Sequence, residues 1–278
     1  MIVLDEKKLT QLKHIQIAIL KEYIEICHKH GLQYFLVGGS CLGAVRHQGF
    51  IPWDDDIDIG MPRADYDRFL EVAPAELSDG YFLQTAHTDK HYPMNFAKIR
   101  NSQTTFLESS VSHLDINHGV FFDIFPMDGY HFSRGREIKM KICRHGVARA
   151  FRIPQSQSVI KKLLIFLATL PVRDYHKARD ILEKMACRYR YEDCDIIASY
   201  FGVWGKKEIF KKEIFGQGSK GIFEGIEVML PADPHGYCRQ LYGDYMKYPP
   251  LEKRVTHHYC DVIDLDKSYL YYIKSKES

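Results

Sequence analysis

The feature that most constrains the fold of this chain is a cluster of four aspartates within an apolar stretch. Residues 51–60 read Ile-Pro-Trp-Asp-Asp-Asp-Ile-Asp-Ile-Gly. Side chains of a β-strand alternate between its two faces, so a strand here directs Asp54, Asp56 and Asp58 to one face. Asp55 and the isoleucines point to the other face, toward the core. Carboxylates this close raise one another's pKa unless a hard cation such as Mg²⁺ neutralises them, and Mg²⁺ sites commonly serve phosphate groups.

A calcium-binding loop is an alternative explanation of the alternating aspartates. Such a loop needs Gly directly after its third acidic position and Glu at its twelfth position. This chain has Ile59 and Asp65 there. A solvated acidic turn is a second alternative, and the alternation with apolar residues argues against it. The pattern therefore favours metal-assisted phosphoryl chemistry.

A glycine pair precedes the aspartates. Residues 33–37 read as a short buried strand, Gly38 and Gly39 follow, and a helix is predicted to begin after Ser40. Glycine lets the backbone approach a ligand closely, and the N–H groups at a helix start attract anions. Ser40 is expected to cap that helix and to reach a phosphate. With the carboxylates on a neighbouring strand, this turn predicts a phosphate cradle that faces a metal site.

Two further charged residues stand alone in apolar strands. Asp123 lies in the run Gly-Val-Phe-Phe-Asp-Ile-Phe-Pro. A lone buried carboxylate is costly unless it is paired or holds a metal, which favours a metal ligand or base over a core Asp with an unseen partner. Lys98 is a candidate phosphate ligand, with a surface Lys as the alternative. Asp128, in Met-Asp-Gly, is predicted to be a turn residue.

These segments resemble the LicD family. The residues that carry the resemblance are the run Val-Gly-Gly-Ser-Cys-Leu-Gly-Ala-Val-Arg at 37–46, the stretch 49–61, the Phe-Asp-Ile-Phe-Pro motif at 122–126 and, less specifically, residues 241–254. The family includes bacterial phosphorylcholine transferases and the fukutin and fukutin-related proteins, which transfer ribitol phosphate. Its glycine-serine and paired-aspartate arrangement is similar to the nucleotidyltransferase superfamily of DNA polymerase β.

The resemblance implies an α+β fold, in which a mixed nucleotidyltransferase sheet of the polymerase β type carries helices. It implies Asp56, Asp58 and Asp123 as metal ligands and catalytic residues, with Mg²⁺, or Mn²⁺ in its place, on the pyrophosphate. Asp123 is also expected to accept the proton of the attacking sugar hydroxyl. The residues expected to bind phosphate or nucleotide are Gly38, Gly39, Ser40, Arg46, Lys98 and Arg254.

The resemblance also implies the reaction. Family members take a CDP-activated alcohol and pass the phospho-alcohol to a sugar hydroxyl while CMP leaves. The expected activity moves phosphocholine from CDP-choline to a cell-surface glycan precursor of the teichoic acid or lipopolysaccharide type. Transfer of ribitol or glycerol phosphate from a CDP-polyol is the alternative within this scaffold. A choline site would need an aromatic cage, for which Trp53 and Trp204 are among the candidates.

Composition predicts a cytoplasmic enzyme. The first residues lack the apolar run of a signal peptide, which disfavours a third reading as a noncatalytic, cation-binding surface protein. Seven cysteines at irregular spacing predict reduced thiols and no disulfide framework. The Cys and His groups near residues 27–30 and 257–260 lack a CxxC half-site, so zinc is not expected.

A basic middle segment divides the chain. Residues 133–190 hold 15 Lys and Arg against 4 Asp and Glu, a net charge of +11, whereas the remainder carries −9. We therefore predict a catalytic core at 1–132, a basic helical insertion at 133–200 and a C-terminal part at 201–278 that completes the core and the active site.

The basic segment also predicts peripheral contact with the inner face of the cell membrane, where each nearby Lys or Arg contributes about 1 kcal/mol. Its apolar run at 163–170 is much shorter than the roughly 20 residues that span a bilayer. A solvated basic face is the alternative, and the lipid-linked acceptors of the resembling bacterial enzymes favour the membrane. Nucleic acid is not expected as a partner, because the segment has few aromatic residues and no RNA-binding pattern.

Overall fold

The computed structural model describes residues 5–151, 174–256 and 258–274. Its helices are α1 (Glu6–His30), α2 (Gly38–His47), α3 (Arg63–Glu76), α4 (Arg134–Val147), α5 (Tyr175–Ala186), α6 (Pro234–Tyr242) and α7 (Leu270–Lys274). Its strands are β1 (Phe35–Leu36), β2 (Asp58–Pro62), β3 (Tyr81–Gln84), β4 (Ala97–Asn101), β5 (Thr105–Glu108), β6 (Val120–Gly129), β7 (Ile196–Ala198), β8 (Ile209–Lys211), β9 (Ser219–Phe223), β10 (Ile226–Leu230) and β11 (Cys260–Asp264).

A mixed sheet forms the centre of the fold, with strand order β1-β2-β6-β4-β3. Strands β2 and β6 are parallel, and the other neighbours in this order are antiparallel. Strand β7 pairs with the end of β6, and β8 pairs with β7. A mixed sheet with helices packed around it confirms the expected α+β class. Its assignment to the nucleotidyltransferase type stays a prediction.

The first helix forms as its amphipathic pattern predicts. The Asp5 side chain caps its N-terminus by accepting a hydrogen bond from Lys8 N, and Gly31 ends it in the left-handed conformation at φ 63°. Buried positions such as Leu12, Ile19 and Tyr23 recur at helical spacing and pack toward the sheet. This helix supports the sheet from behind the site.

The backbone around the aspartates differs from the prediction. Residues 52–53 form a turn, residues 54–57 have no regular secondary structure, and β2 begins only at Asp58. Asp54 N donates to Ile51 O at 2.9 Å and closes the turn around Pro52, which delays the start of the strand. Strand β1 is likewise shorter than predicted, and α2 begins three residues earlier than predicted, at Gly38.

Asp128 is not a turn residue, so that prediction was wrong. It lies in β6, fully buried, and its carboxylate accepts two hydrogen bonds of 2.8 Å from the guanidinium of Arg63 at the start of α3. Glu183 on α5 binds the same guanidinium at 2.7 Å. A bidentate ion pair satisfies a buried carboxylate, and this one ties the sheet to α3 and α5.

The described part of the basic segment contains α4 and α5, which pack together around Met140, Cys143, Ala178 and Leu182. The apolar run at 163–170 lies outside the described residues, so the structure does not bear on it. No helix among residues 5–151, 174–256 and 258–274 is long and apolar enough to cross a bilayer. The division of the chain into three parts stays a prediction.

Candidate active site

One cavity of about 480 Å³ brings most of the predicted site residues together. The predicted residues that line it are Gly38, Gly39, Asp56, Asp58, Lys98 and Asp123. Three others, Ser40, Arg46 and Arg254, lie outside the lining as the structure describes it. The cavity opens where β1 ends and α2 begins, beside the parallel strands β2 and β6. The sheet therefore positions the carboxylates of Asp54, Asp56, Asp58 and Asp123, which we call the acidic wall.

The acidic wall is built by strand register. Asp58 and Asp123 are direct partners on parallel strands β2 and β6. Asp54 and Asp56 join them from the preceding turn, while Asp55 and Ile57 do not line the cavity. The predicted alternation of facing is therefore confirmed, although the strand is shorter than predicted.

The carboxylates of this wall repel one another. Burial raises the pKa of Asp58 well above its usual value, and the charges of Asp56, Asp123 and Asp54 raise it further. Burial, followed by the charges of Asp56 and Asp55, does the same for Asp54. Carboxylates that raise one another's pKa in this way are suited to bind a cation.

Lys98 lies inside the acidic wall. It is 1% exposed, which excludes the surface alternative, and its Nζ lies 2.8 Å from Asp123 Oδ1 and 3.8 Å from Glu108 Oε1. Burial raises the pKa of Asp123, and the charge of Lys98 opposes that rise. Arg100 holds the other Glu108 oxygen at 3.0 Å, and although burial opposes it, Lys98 and Arg100 lower the pKa of Glu108 to about 2. The role of Lys98 toward phosphate stays a prediction.

His258 is a site residue that the sequence argument missed. It lines the cavity, and its Nδ1 lies 3.2 Å from Asp55 Oδ1 and 3.8 Å from Asp56 Oδ2. Burial lowers its pKa, but the hydrogen bond with Asp55 and the charges of Asp56 and Asp55 outweigh burial and raise that pKa to about 10. Its sequence signal was a short His and Cys group that was considered only for zinc.

The glycine pair lies close to the carboxylates, whereas its predicted approach to a phosphate stays a prediction. A Cβ on Gly38 would lie 2.5 Å from Asp58 Oδ2, and a Cβ on Gly39 would lie 2.5 Å from Asp54 Oδ2. Gly38 also has a φ of +53°, which side chains disfavour. Its N–H donates to the Tyr237 hydroxyl at 2.7 Å. Only glycine therefore allows α2 to begin against the carboxylates.

Ser40 does not cap α2, contrary to the prediction. Val37 occupies the N-cap position, and the Ser40 hydroxyl accepts a hydrogen bond of 2.9 Å from Asp58 N. Because the helix begins two residues before Ser40, this side chain faces strand β2 and fixes the backbone of the metal-ligand candidate Asp58. Contact of Ser40 with phosphate stays a prediction.

Arg46 and Arg254 lie together beside the cavity. Both guanidinium groups stack on the ring of Tyr248, at 4.7 and 5.2 Å from its centroid, and Arg254 lies 5.4 Å from the ring of Trp53. Two cations on one aromatic ring form a positively charged platform. Their predicted role in nucleotide binding is compatible with this position and stays a prediction.

The donor set fits a hard divalent cation. Asp54, Asp56, Asp58 and Asp123 offer only carboxylate oxygen, the ligand type that Mg²⁺ and Mn²⁺ prefer. Among the residues that the structure describes, the group with ligand atoms within 4.8 Å of one another is Asp55, Asp56 and His258, which shares only Asp56 with this donor set. The raised pKa of His258 favours the charged form of its imidazole, which opposes the charges of Asp55 and Asp56.

Comparison with known proteins gives three matches of interest. Residues 31–152 match the family described as LicD/FKTN/FKRP, nucleotidyltransferase domain. The lipopolysaccharide cholinephosphotransferase LicD of Haemophilus influenzae is 31% identical over 269 residues, which cover 91% of this chain and 97% of that protein. The human ribitol 5-phosphate transferase FKRP is 31% identical over 99 residues, which cover 36% of this chain and 18% of FKRP.

Proposed function

Since this chain belongs to the LicD family, we propose that it transfers phosphocholine from CDP-choline to a hydroxyl of a cell-surface glycan precursor. The observation that carries the proposal is the set of four carboxylates opposite Gly38 and Gly39 in one cavity. The relative that spans nearly the whole chain is a cholinephosphotransferase, which favours choline over a polyol. The teichoic acid or lipopolysaccharide type of acceptor is part of the same proposal.

The proposed mechanism is an in-line displacement. The acceptor hydroxyl oxygen attacks the phosphorus that bears choline, the bond to the bridging oxygen breaks, and CMP leaves with that oxygen. Asp123 accepts the hydroxyl proton, and Lys98 keeps the Asp123 carboxylate in place. Asp56 and Asp58, with Asp123, would hold the divalent cation, which supplies charge neutralisation on the pyrophosphate.

The remaining residues orient the donor. Gly38 and Gly39 let the start of α2 lie directly against Asp58 and Asp54, so the phosphates would bind where this helix start meets the acidic wall. Arg46 and Arg254 would bind the nucleotide phosphate or ribose from their platform on Tyr248. His258 orders the turn before β2 through its contacts with Asp55.

A donor assay tests this function. The purified protein is incubated with Mg²⁺, a glycan acceptor and CDP-choline, CDP-ribitol or CDP-glycerol, and CMP release is measured. We expect CMP release with CDP-choline to exceed that with either polyol donor by at least about tenfold, since a methylated ammonium and a polyol share no recognition chemistry. The metal-free protein is the control. Preference for CDP-ribitol would support the FKRP-like alternative, and no release with any donor would support the noncatalytic reading.

Peripheral binding to an anionic membrane is part of the proposed function, because a lipid-linked acceptor lies at that surface. On α4 and the chain just before it, Phe132 and Ile138 are 71% and 53% exposed beside the exposed cations Arg134, Lys139 and Lys141. Apolar side chains between cations are typical of a membrane surface contact. Not all of the cationic side chains of the basic segment are exposed to solvent, however.

Two of its arginines are structural. Arg136 and Arg179 are each 8% exposed, and Arg179 donates to Tyr92 O at 2.9 Å. Charge reversal of Arg179 would therefore unfold its surroundings and cannot test membrane binding. Lys161, Lys162 and Arg173 lie outside the described residues. The exposed cations of α4 provide the sharper test, because they lie beside the exposed Phe132 and Ile138.

Reversing Arg134, Lys139 and Lys141 together to Glu should lower co-sedimentation with phosphatidylserine vesicles at least about tenfold, because each cation contributes about 1 kcal/mol. Activity on a short soluble acceptor should stay unchanged, and added salt should weaken binding of the parent protein. The matched control reverses three exposed lysines of α1, Lys7, Lys8 and Lys21. An equal loss of vesicle binding in both triple variants would mean that only the net charge of the protein matters. It would then exclude α4 as the specific contact surface.

A further inference from the structure

We propose that the cavity wall formed by Phe201, Trp204, Glu208 and Tyr242 binds the quaternary ammonium group of the donor, with Glu208 as its counter-ion. This inference rests on the proposed phosphocholine transfer and names the residues that select the alcohol. None of the four belongs to the acidic wall or to the glycine pair. All four line the same cavity.

The aromatic part of this wall has the shape of a corner. The rings of Trp204 and Tyr242 lie 5.1 Å apart at 85°, so they present two nearly perpendicular surfaces. Phe210 and Tyr237, which line the same cavity, stack with centroids 5.0 Å apart. A trimethylammonium group is bulky, cationic and unable to donate hydrogen bonds, and aromatic faces are the surfaces that bind such a cation.

Glu208 supplies the negative charge in this corner. It is 9% exposed, and no ion pair of Glu208 occurs among residues 5–151, 174–256 and 258–274. Its carboxylate accepts a hydrogen bond of 3.0 Å from Trp204 N. Burial raises its pKa to about 7, against the smaller opposing effects of two backbone N–H groups and of the charge of Arg144. A buried carboxylate without a cationic partner is costly, and a bound cation repays that cost.

The neighbouring lysine does not neutralise Glu208. The Lys207 ammonium donates to Leu241 O at 2.7 Å and lies 5.2 Å from the ring of Trp204. Gly202 leaves room for the carboxylate, because a Cβ there would collide with the Glu208 carboxyl group. Arg144, whose charge also acts on Glu208, donates to Tyr200 O at 2.7 Å. The segment 201–208 is therefore folded around a carboxyl group that forms no ion pair in the described part of the chain.

Tyr242 links this corner to the acidic wall. It lines the cavity together with Asp54 and Asp58, and burial, followed by the charges of Asp58 and Asp54, raises the pKa of its phenol. Its ring also contacts that of Trp204. Tyr242 therefore has both the acidic wall and the Glu208 corner as neighbours within one cavity. A phosphocholine group likewise has a phosphate at one end and an ammonium at the other.

The test compares two donors that differ only in charge. One is CDP-choline, and the other is its neutral carbon isostere, in which a tert-butyl group replaces trimethylammonium. In the parent protein we expect kcat/KM for CDP-choline to exceed that for the isostere. Glu208→Gln should lower kcat/KM for CDP-choline about thirty-fold and leave the isostere within about threefold, since the shape is kept and only the charge is lost.

Two controls separate charge from folding. Glu213→Gln makes the same chemical change at an exposed glutamate outside the cavity and should alter neither donor. Trp204→Leu, at a side chain that is 40% exposed, removes one aromatic face and should reduce the preference for the charged donor, which keeps the test open if the Glu208 variant is unstable.

The outcomes distinguish this inference from the proposed function. A protein that uses CDP-choline and keeps its preference for the charged donor after Glu208→Gln overturns the ammonium site and leaves the phosphocholine transfer standing. A parent protein that releases CMP from CDP-ribitol and not from CDP-choline overturns both. The ammonium site is supported if the preference for the charged donor is lost in the Glu208 and Trp204 variants and is kept in Glu213→Gln.

Discussion

Replacing Asp58 with asparagine should abolish CMP release, to below about one ten-thousandth of the parent rate, without lowering thermal stability. Asp58 is a ligand candidate at the centre of four carboxylates, and the amide keeps its size but loses its charge. Charge neutralisation supplies much of the rate in phosphoryl transfer, so one lost anionic ligand removes both cation binding and positioning.

Stability should stay the same or rise, because the substitution also removes repulsion. The charges of Asp56, Asp123 and Asp54 all act against an ionised Asp58. Calorimetry without divalent cations measures this effect directly. Addition of Mg²⁺ should then raise the unfolding temperature of the parent protein more than that of the variant, because binding to the native state stabilises it.

The matched control is Asp79→Asn, which changes an exposed aspartate remote from the cavity lining. It should leave both rate and Mg²⁺ response unchanged. Full activity of the Asp58 variant at saturating Mg²⁺ and donor would remove Asp58 from the metal site. Asp56→Asn should behave like Asp58→Asn if the two share the cation.

The acidic wall was predictable from sequence because it depends on local periodicity. Asp54, Asp56 and Asp58 face one way in any extended chain, and the apolar residues between them fix which way that is. The position of Asp123 at the site could be predicted because it is the single charged residue in the apolar run at 119–126. Although β2 is shorter than predicted, Asp54, Asp56 and Asp58 all line the cavity, because the residues before β2 form neither helix nor turn from 54 to 57.

Contacts between residues that are distant in sequence could not be predicted from local periodicity. Asp128 looks like a turn residue until Arg63, 65 residues earlier, closes on it. Nothing near Glu208 in sequence distinguishes it from a surface glutamate between lysines, since its burial depends on the fold of segment 201–208, in which Gly202 and Trp204 lie against its carboxyl group. Charged residues acquire their roles from tertiary partners, and a single sequence does not display those partners.

The same dependence on partners makes Asp123 the second decisive residue. Asp123→Asn should slow the single-turnover rate about a hundred- to ten-thousand-fold, the range expected for a lost general base, with donor affinity less affected. The substitution should also lower stability, because buried Lys98 would lose its carboxylate at 2.8 Å and keep only Glu108 at 3.8 Å. A reduced rate therefore has to be separated from a displaced Lys98.

Glu108→Gln provides that separation. It weakens the pairing of Lys98 and of Arg100, whose guanidinium lies 3.0 Å from Glu108, and so disturbs the same buried cations while keeping Asp123. If Asp123 accepts the proton, Glu108→Gln should cost stability but keep the single-turnover rate within about tenfold of the parent. Equal slowing in both variants would make Asp123 a residue that only positions Lys98, and parental rates in Asp123→Asn would exclude it from the chemical step.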